Sequence, residues 1–237
     1  MITARLAAAR GRTATDWLDG RHTFSFGGYY DPAHMGFGAL RVVNHDVIAP
    51  GAGFPTHGHR DMEIVTYILR GAVAHRDSMG NGSTIRPGDV QLMSAGTGVM
   101  HSEFNAHDDA ETELLQMWVA PAKAGGKPRY EESSFSTDGA HWRLLASPNG
   151  TDGSLTIGQN AHLHAFRGQA GDRARLSLDQ RGSWLHVGAG EISIKGSSGT
   201  TLQLKAGDGA AIRRESWIDV EVPNGASADV VLWQVPD

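Results

Sequence analysis

Cysteine is absent from this chain of 237 residues, and its absence excludes several chemistries. No disulfide can form, no thiolate can bind a metal, and no cysteine nucleophile exists. Any metal site must therefore use histidine and carboxylate side chains. A chain without disulfides is typical of a reducing compartment, and residues 1–16 lack the apolar core of a secretory signal. We expect a cytoplasmic protein.

Long apolar runs and blocks of like charge are also lacking. No stretch approaches the length needed to span a bilayer, and the 21 basic and 26 acidic residues are dispersed, with a net charge of -5. These features predict no direct nucleic-acid binding and no membrane attachment. A glycine-rich dinucleotide motif, a P-loop and a nucleophile elbow are missing too, which excludes nucleotide-binding and serine-hydrolase classes.

Glycine, in contrast, is abundant, and it separates short segments rich in valine, isoleucine, leucine and threonine. That pattern is typical of an all-β barrel or sandwich, and helical periodicity is hard to find. The sequence predicts an all-β fold with few short helices. Strands are expected at residues 40–48, 62–69, 72–76, 90–93, 114–119, 184–187, 191–195, 202–204, 219–222 and 229–235.

An internal repeat is visible in the glycine spacing. Gly71 and Gly88 are 17 positions apart, as are Gly190 and Gly207, and a shift of 119 residues relates the two pairs (190 − 71 and 207 − 88). The repeat predicts one barrel made twice.

The boundary between the two copies is expected in a polar stretch at 121–153, which has little periodicity and suits a connector. We predict an N-terminal barrel at 1–125 that binds a metal, and a degenerate C-terminal barrel at 126–237 that does not.

Two pairs of polar residues carry the strongest chemical signal. His57 and His59 are two positions apart at the start of a β-prone segment, and His101 and Glu103 repeat that spacing after a glycine-rich turn. Side chains at i and i+2 of a strand share a face, so neighbouring strands could direct all four groups at one point. Three imidazoles and a carboxylate suit Fe(II), Mn, Ni, Co or Zn and leave a position open for substrate.

The repeat provides an independent argument for a metal. Shifting the four positions by 119 residues gives Leu176, Leu178, Val220 and Val222, all apolar. Interior positions of a small barrel are normally filled by such side chains, so the first copy places polar groups where a core belongs. A bound cation would offset the cost of burying them. The alternative is a cluster of polar groups that hydrogen-bond one another.

Four runs of sequence, at 17–27, 30–38, 57–67 and 101–105, resemble the pirin family of bicupins. The resemblance is close over about the first 120 residues and loose beyond them. It implies two cupin barrels with one divalent metal, usually iron, in the N-terminal barrel, with Zn, Mn, Ni, Co and Cu as alternatives. The implied ligands are His57, His59, His101 and Glu103.

The same resemblance implies a function. Some pirin-like proteins are quercetin 2,3-dioxygenases, so we expect a metal-dependent oxidoreductase that cleaves a flavonol with O2 and releases carbon monoxide, with Glu103 as the catalytic base. The alternative is a non-catalytic, iron-dependent regulatory protein that binds a protein partner. A cupin isomerase or another metal-assisted enzyme stays open as well. Glu63 matches a glutamate of the general cupin motif and is expected to have a supporting polar role.

The remaining histidines and aromatics have structural interpretations. His22 and His34 are expected at the surface or bracing loops, although either could line the mouth of the site. His45 and His75 are expected to be hydrogen-bonded strand residues, with orientation of a metal ligand as the alternative. An aromatic group near the N-terminus is expected to pack over a barrel end, although it could stack on a flat phenolic ligand. It comprises Phe24, Phe26, Tyr29, Tyr30 and Phe37.

Overall fold

The computed structural model describes residues 1–136, 139–179 and 181–237, and nearly all of its regular structure is extended. The strands are β1 (Ile2–Arg5), β2 (Gly11–Ala14), β3 (Leu18–His22), β4 (Leu40–Ile48), β5 (Gly53–Arg70), β6 (Val73–Asp77), β7 (Gly82–Ile85), β8 (Asp89–Asn105), β9 (Thr112–Val119), β10 (Arg129–Ser134), β11 (Arg143–Ser147), β12 (Leu155–Thr156), β13 (His162–Gln169), β14 (Arg173–Ser177), β15 (Gly182–Gly196), β16 (Thr201–Lys205), β17 (Gly209–Ile212), β18 (Trp217–Glu221) and β19 (Ser227–Val235). Short 3-10 turns lie at Ala7–Ala9 and Thr151–Gly153. Within the described ranges, no helix has the length and apolar character needed to cross a membrane.

The strands form two sheets that are antiparallel except for the short β11–β12 pair. A nine-stranded sheet has the order β2-β3-β4-β9-β5-β8-β6-β7, with β10 added to β8. A ten-stranded sheet has the order β1-β17-β15-β19-β13-β11-β12, with β14, β16 and β18 completing it. Each sheet belongs to one cupin barrel, and the prediction of an all-β bicupin is confirmed.

Two strands cross the division predicted between residues 125 and 126. Strand β1 pairs with β17 in the second sheet, and β10 pairs with β8 in the first. Each barrel thus receives an edge strand from the other side of the predicted boundary, which stays a prediction. The exchange ties the two halves together by main-chain hydrogen bonds as well as by side-chain packing.

Apolar side chains are distributed unequally between the two barrels. The second barrel is filled by one continuous cluster that includes Phe166, Leu185 and Ile218. The interior of the first barrel has only two small clusters, one around Ile68 and one around Met93. A third cluster joins the barrels to each other. The first barrel therefore has a polar layer where its counterpart has a core.

The four positions predicted to be apolar counterparts of the metal ligands belong to that second-barrel core. Val220 and Val222 are fully buried, and Leu176 and Leu178 pack against the same cluster. The prediction that the second copy fills these positions with core side chains is confirmed.

The strand register nevertheless differs between the two copies. His57 lies opposite His101 in the first barrel, so a constant shift would place Leu176 opposite Val220. Leu176 instead lies opposite Ile218. A slip of two residues keeps every side chain on its original face, because the side-chain period of a strand is two. The core of the second barrel therefore tolerates the change.

Strands β5 and β8, which carry the four predicted ligands, are bent at a matched point. Asp61 of β5 has a left-handed backbone (φ 66°) and lies opposite Gly96 of β8, which is also left-handed (φ 48°). The pairing shifts register between His59 and Asp61. Such bulges bend a strand and increase its twist, which lets each long strand curve around a small barrel.

Gly96 is therefore expected to be a stability determinant. A Cβ atom at this position would lie 2.1 Å from the carbonyl oxygen of Gly126, and the left-handed backbone adds further strain. We expect Gly96→Ala to lower the free energy of unfolding by about 2–5 kcal/mol, measured by urea denaturation. Gly126→Ala is the matched control, because a Cβ there meets no atom within 4 Å. Equal midpoints for the two variants would contradict this account of the bend.

Candidate metal centre

His57 and His101 form the centre of the site. They are directly opposed on β5 and β8, and their Nε2 atoms are 3.1 Å apart. His57 Nδ1 donates to the carbonyl oxygen of Pro55 at 2.9 Å. Because a carbonyl can only accept, the proton of a neutral His57 is on Nδ1, and the Nε2 lone pair points towards His101. The backbone thus fixes the tautomer that a metal ligand needs.

His59 completes a cluster of three imidazoles. Its ring centroid is 4.7 Å from those of His57 and His101, and one nitrogen of each residue lies within 4.8 Å of the others. Burial and the neighbouring rings lower the pKa of His59 to about 4 and that of His101 to about 3. The two imidazoles are therefore neutral at pH 7, which keeps their lone pairs available.

Glu103 lies beside this cluster and is held by three donors. Thr66 Oγ1 and Gln91 Nε2 each donate to Oε1 at 3.1 Å, and Gln116 Nε2 donates to Oε2 at 2.6 Å. Gln116 is itself oriented by Trp118, whose indole N–H donates to its Oε1. All three groups are donors, so both carboxylate oxygens of Glu103 serve as acceptors and the side chain is held in one orientation.

A second cluster of ligand-type atoms overlaps the first and was not predicted. His75 lies opposite Glu103 across β6 and β8, and His75, His101 and Glu103 come within 4.8 Å of one another. Glu103 groups with these two histidines and not with His57 and His59. The four predicted residues thus lie together as two overlapping clusters that share His101.

His75 lies on strand β6 as predicted, but the hydrogen bond expected of it is not formed with good geometry. Both its ring nitrogens are buried without a hydrogen-bond partner in the described part of the chain, and its ring stacks on Tyr130 at 4.8 Å. Its Nε2 is 3.5 Å from the Asp77 carboxylate but lacks hydrogen-bond geometry. The alternation of β6 puts His75 on the interior face, a signal that the sequence carried.

Other predicted roles had mixed outcomes. His45 is hydrogen-bonded as expected, to Glu113 at 2.7 Å, and His34 braces a loop through Asp31. Glu63 is buried and accepts from Ser94 and from the backbone N–H of Gly158. Glu63 therefore stabilises the contact with the C-terminal half of the chain and does not hydrogen-bond to the histidine cluster.

A cavity of about 480 Å³ opens onto the histidines, and we call it the central cavity. One wall is aromatic, formed by Phe26, Phe54 and Trp118, and Glu103 and Gln116 are also among its lining residues. Phe26 and Trp118 meet edge to face at 5.4 Å. This wall is suited to a flat apolar molecule.

The aromatic group near the N-terminus is divided between the cavity and the core. Phe26 lines the central cavity, whereas Phe24 and Phe37 are buried against Trp184. Tyr30 is exposed. Phe24 and Phe37 are packing residues, as expected. Phe26 lies where it could stack on a flat ligand, which was the alternative.

A polar wall faces the cavity from β3 and β4, and of its residues only His22 had been given a place at the mouth of the site, as an alternative. His22, Asn44 and Asp46 lie on it, all buried. Asn44 Oδ1 accepts from His22 Nδ1 at 2.9 Å, while Thr13 Oγ1 is 2.8 Å from His22 Nε2. Burial lowers the pKa of His22, so it is neutral at pH 7. The prediction that His22 braces a loop or lies at the surface is wrong, because β3 continues through it.

The residues present fit a bound metal ion. Buried His59 Nε2 and His101 Nδ1 have no hydrogen-bond partner among the residues described, and leaving such groups unpaired is costly. His57 Nε2, which carries the lone pair when the proton is on Nδ1, lies 3.1 Å from His101 Nε2. Neutral imidazoles with a nearby carboxylate form a donor set that divalent transition metals accept.

Two joined β-barrels, one filled by apolar side chains and one holding converging imidazoles, define a bicupin with one candidate metal centre. The Pirin family model matches residues 3–119, and the model described as the quercetinase C-terminal cupin domain matches residues 144–233. The chain belongs to the pirin family, as the sequence motifs predicted.

Several known proteins are similar over almost the whole chain. A quercetin 2,3-dioxygenase of Escherichia coli is 41% identical, covering 100% of this chain and 99% of that protein. A pirin-like protein of Caulobacter vibrioides is 38% identical over 86% of this chain and 87% of its own. The crystal structure of a bacterial pirin from Escherichia coli in complex with nickel(II) superposes with a TM-score of 0.90 at 40% identity, covering 100% of this chain and 99% of that one.

Proposed function

We propose that this protein is a metal-dependent quercetin 2,3-dioxygenase, which cleaves a flavonol with O2 and releases carbon monoxide. The observation that carries the proposal is the convergence of three imidazoles beside Glu103, at the wall of an aromatic cavity of about 480 Å³. That volume is in the range of cavities that bind small organic ligands. The relatives named quercetin 2,3-dioxygenase support it further, because they match over nearly their full length.

The metal ligands in this proposal are His57, His59, His101 and Glu103. The ion is one divalent metal, which we propose to be Fe(II), although the donor set also suits Zn, Mn, Ni, Co or Cu. The related bacterial pirin was crystallised with nickel(II), one of these metals. A bound divalent ion would stabilise negative charge on the oxygen of a deprotonated substrate.

Glu103 is proposed to act as the base. The proton of the flavonol 3-hydroxyl would pass to the carboxylate of Glu103 and return to the product after ring opening. Three donors hold this carboxylate in place, and one of them, Gln116, is itself oriented by Trp118. Phe26 and Phe54 on the aromatic wall would hold the flat ring system and exclude water.

The direct test is single turnover with a defined metal. Protein loaded with Fe(II) under argon and mixed with quercetin should, on admission of air, lose the flavonol absorbance and release one equivalent of carbon monoxide. The same mixture kept under argon is the control and should keep its absorbance. No turnover with any of the six metals would refute the dioxygenase and favour an iron-dependent binding protein with a protein partner.

A further inference from the structure

Asp46 is a second carboxylate on the wall of the central cavity, and neither the metal centre nor the proposed proton transfer uses it. It lies on β4, and its side chain is among those that line the cavity. Only 3% of the residue is exposed. A charged group this deeply buried is rare unless it is paired.

One oxygen of this carboxylate lacks a donor in the described part of the chain. Its Oδ1 has no hydrogen bond among residues 1–136, 139–179 and 181–237. Arg10 is the cation whose charge opposes the rise in the pKa of Asp46. Its guanidinium nevertheless donates to main-chain carbonyl groups, including those of Gly207 and Arg21. The two terminal nitrogens of Arg10 thus serve the backbone, while its Nε is itself buried without a hydrogen-bond partner in the described part of the chain, so Arg10 acts on Asp46 only through its charge.

The neighbouring strand is shaped around Asp46. Gly20 of β3 lies directly opposite Asp46, and a Cβ atom at Gly20 would be 2.8 Å from Asp46 Oδ1. Any other residue at position 20 would crowd the carboxylate. The two strands thus leave room for the carboxylate but provide no donor for it.

Such a group is costly in the ligand-free protein. Burial raises the pKa of Asp46 to about 7, with Arg10 opposing and Glu103 and Asp19 adding to the rise. His22, on the same wall, is neutral and does not compensate. An unpaired buried carboxylate in a cavity is a frequent mark of a functional site, because a ligand can supply the missing donor.

The surroundings define the chemistry of that ligand. Asn44 Oδ1 and both ring nitrogens of His22 are already hydrogen-bonded, so Asp46 is the acceptor left for a ligand on the polar wall. Phe26 and Trp118 line the same cavity, and Phe26 lies next to His22, so an aromatic ring can pack beside the polar wall. A hydroxyl group on such a ring could donate a hydrogen bond to Asp46. The 3-hydroxyl of the flavonol is already used at the metal centre in the proposed function, so the donor would be a second hydroxyl.

We propose that Asp46 is a specificity-determining residue that accepts a hydrogen bond from a second hydroxyl group of an aromatic substrate, distinct from the hydroxyl bound at the metal centre. The inference rests on the proposed function for the class of substrate. It predicts selection for polyhydroxylated flavonols over those that carry only the 3-hydroxyl.

The test compares two flavonols and two variants by binding alone. Nickel-loaded protein under argon is titrated with quercetin and with 3-hydroxyflavone, and quenching of tryptophan fluorescence is followed. At pH 8, where Asp46 is mostly ionised, Asp46→Asn should weaken quercetin binding about tenfold, because a charge-assisted hydrogen bond becomes a neutral one. It should change 3-hydroxyflavone binding less than about twofold. Asp46→Ala should weaken quercetin further.

Asp19→Asn is the matched control, since Asp19 is a surface residue of the neighbouring strand β3 that pairs with Arg12 and does not line the central cavity. It should change neither affinity.

Equal losses for both flavonols in Asp46→Asn, or no loss for quercetin, would overturn the inference. Binding in which Asp46 discriminates between the flavonols, without turnover in air, would refute the proposed dioxygenase and leave the inference standing. Turnover of both flavonols that is unaffected by Asp46→Asn would support the dioxygenase and overturn the inference about Asp46.

A thermal midpoint confirms that the variant folds. The carboxyl of Asp46 has a folded-state pKa of about 7, above its unfolded value. Its contribution to stability is therefore full at low pH and is lost as pH rises through 7. Asparagine does not ionise, so Asp46→Asn removes that loss. The thermal midpoint of the variant minus that of the wild type should therefore be larger at pH 8 than at pH 5.

Discussion

His101→Ala is expected to yield protein that contains almost no bound metal. His101 is the residue common to both clusters, and it is nearly fully buried. Structural metal sites gain about 10–16 kcal/mol from about four ligands, so one ligand contributes about 3 kcal/mol and its loss weakens binding more than about 100-fold. Elemental analysis of protein purified without added metal measures the outcome.

The control for this experiment is a histidine of the second barrel. His162 and His164 have the same i, i+2 spacing as His57 and His59, and His164 is also largely buried. His162 is hydrogen-bonded to Arg181. His164→Ala should retain the metal content of the wild type. Full metal occupancy in His101→Ala would show that the imidazole cluster is a polar core and not a ligand set.

Glu103→Gln is expected to abolish turnover while sparing most of the metal. A positioned general base contributes about 10²–10⁴-fold to rate, and an amide cannot replace it. We therefore expect kcat for quercetin, per bound metal, to fall by that factor. Metal content should fall less than in His101→Ala, since the three imidazoles stay and the amide oxygen of glutamine can still bind a metal. Carbon monoxide release and elemental analysis on the same preparation measure both quantities.

Glu63→Gln is the matched control for Glu103→Gln. Glu63 is a buried glutamate on β5 that accepts two hydrogen bonds at the contact between the barrels, outside the central cavity. Its substitution should lower stability without lowering kcat. If Glu103→Gln loses metal and activity to the same extent, Glu103 is a ligand and has no role as a base.

The unequal cores explain why one barrel alone is a candidate for metal chemistry. The polar layer of the first barrel includes Thr66, Gln91 and Glu103, whose hydrogen bonds satisfy one another. This network holds a carboxylate next to the imidazoles. The second barrel packs the equivalent space with apolar side chains, which favours folding but provides no ligand.

Strand prediction succeeded where alternation is local and failed where strands bend. Strand β4 has the predicted bounds, 40–48. The segments predicted at 62–69 and 90–93 are parts of β5 and β8, which are 18 and 17 residues long. Glycine and aspartate around Asp61 and Gly96 suggested strand ends, because bulges and turns use the same residue types. The interval 121–153 likewise contains β10 and part of the second sheet, not only a connector.

The sequence by itself determined the all-β class, the repeat and the two residue pairs that point into the first barrel. These features depend on spacing along the chain, where a period of two assigns each side chain to a face. Only the tertiary structure decided that His75 adjoins Glu103, that His22 and Asp46 line the cavity, and that Asp46 Oδ1 has no hydrogen bond to any residue the structure describes. Those facts depend on the pairing and curvature of strands far apart in the chain, which local residue patterns do not specify.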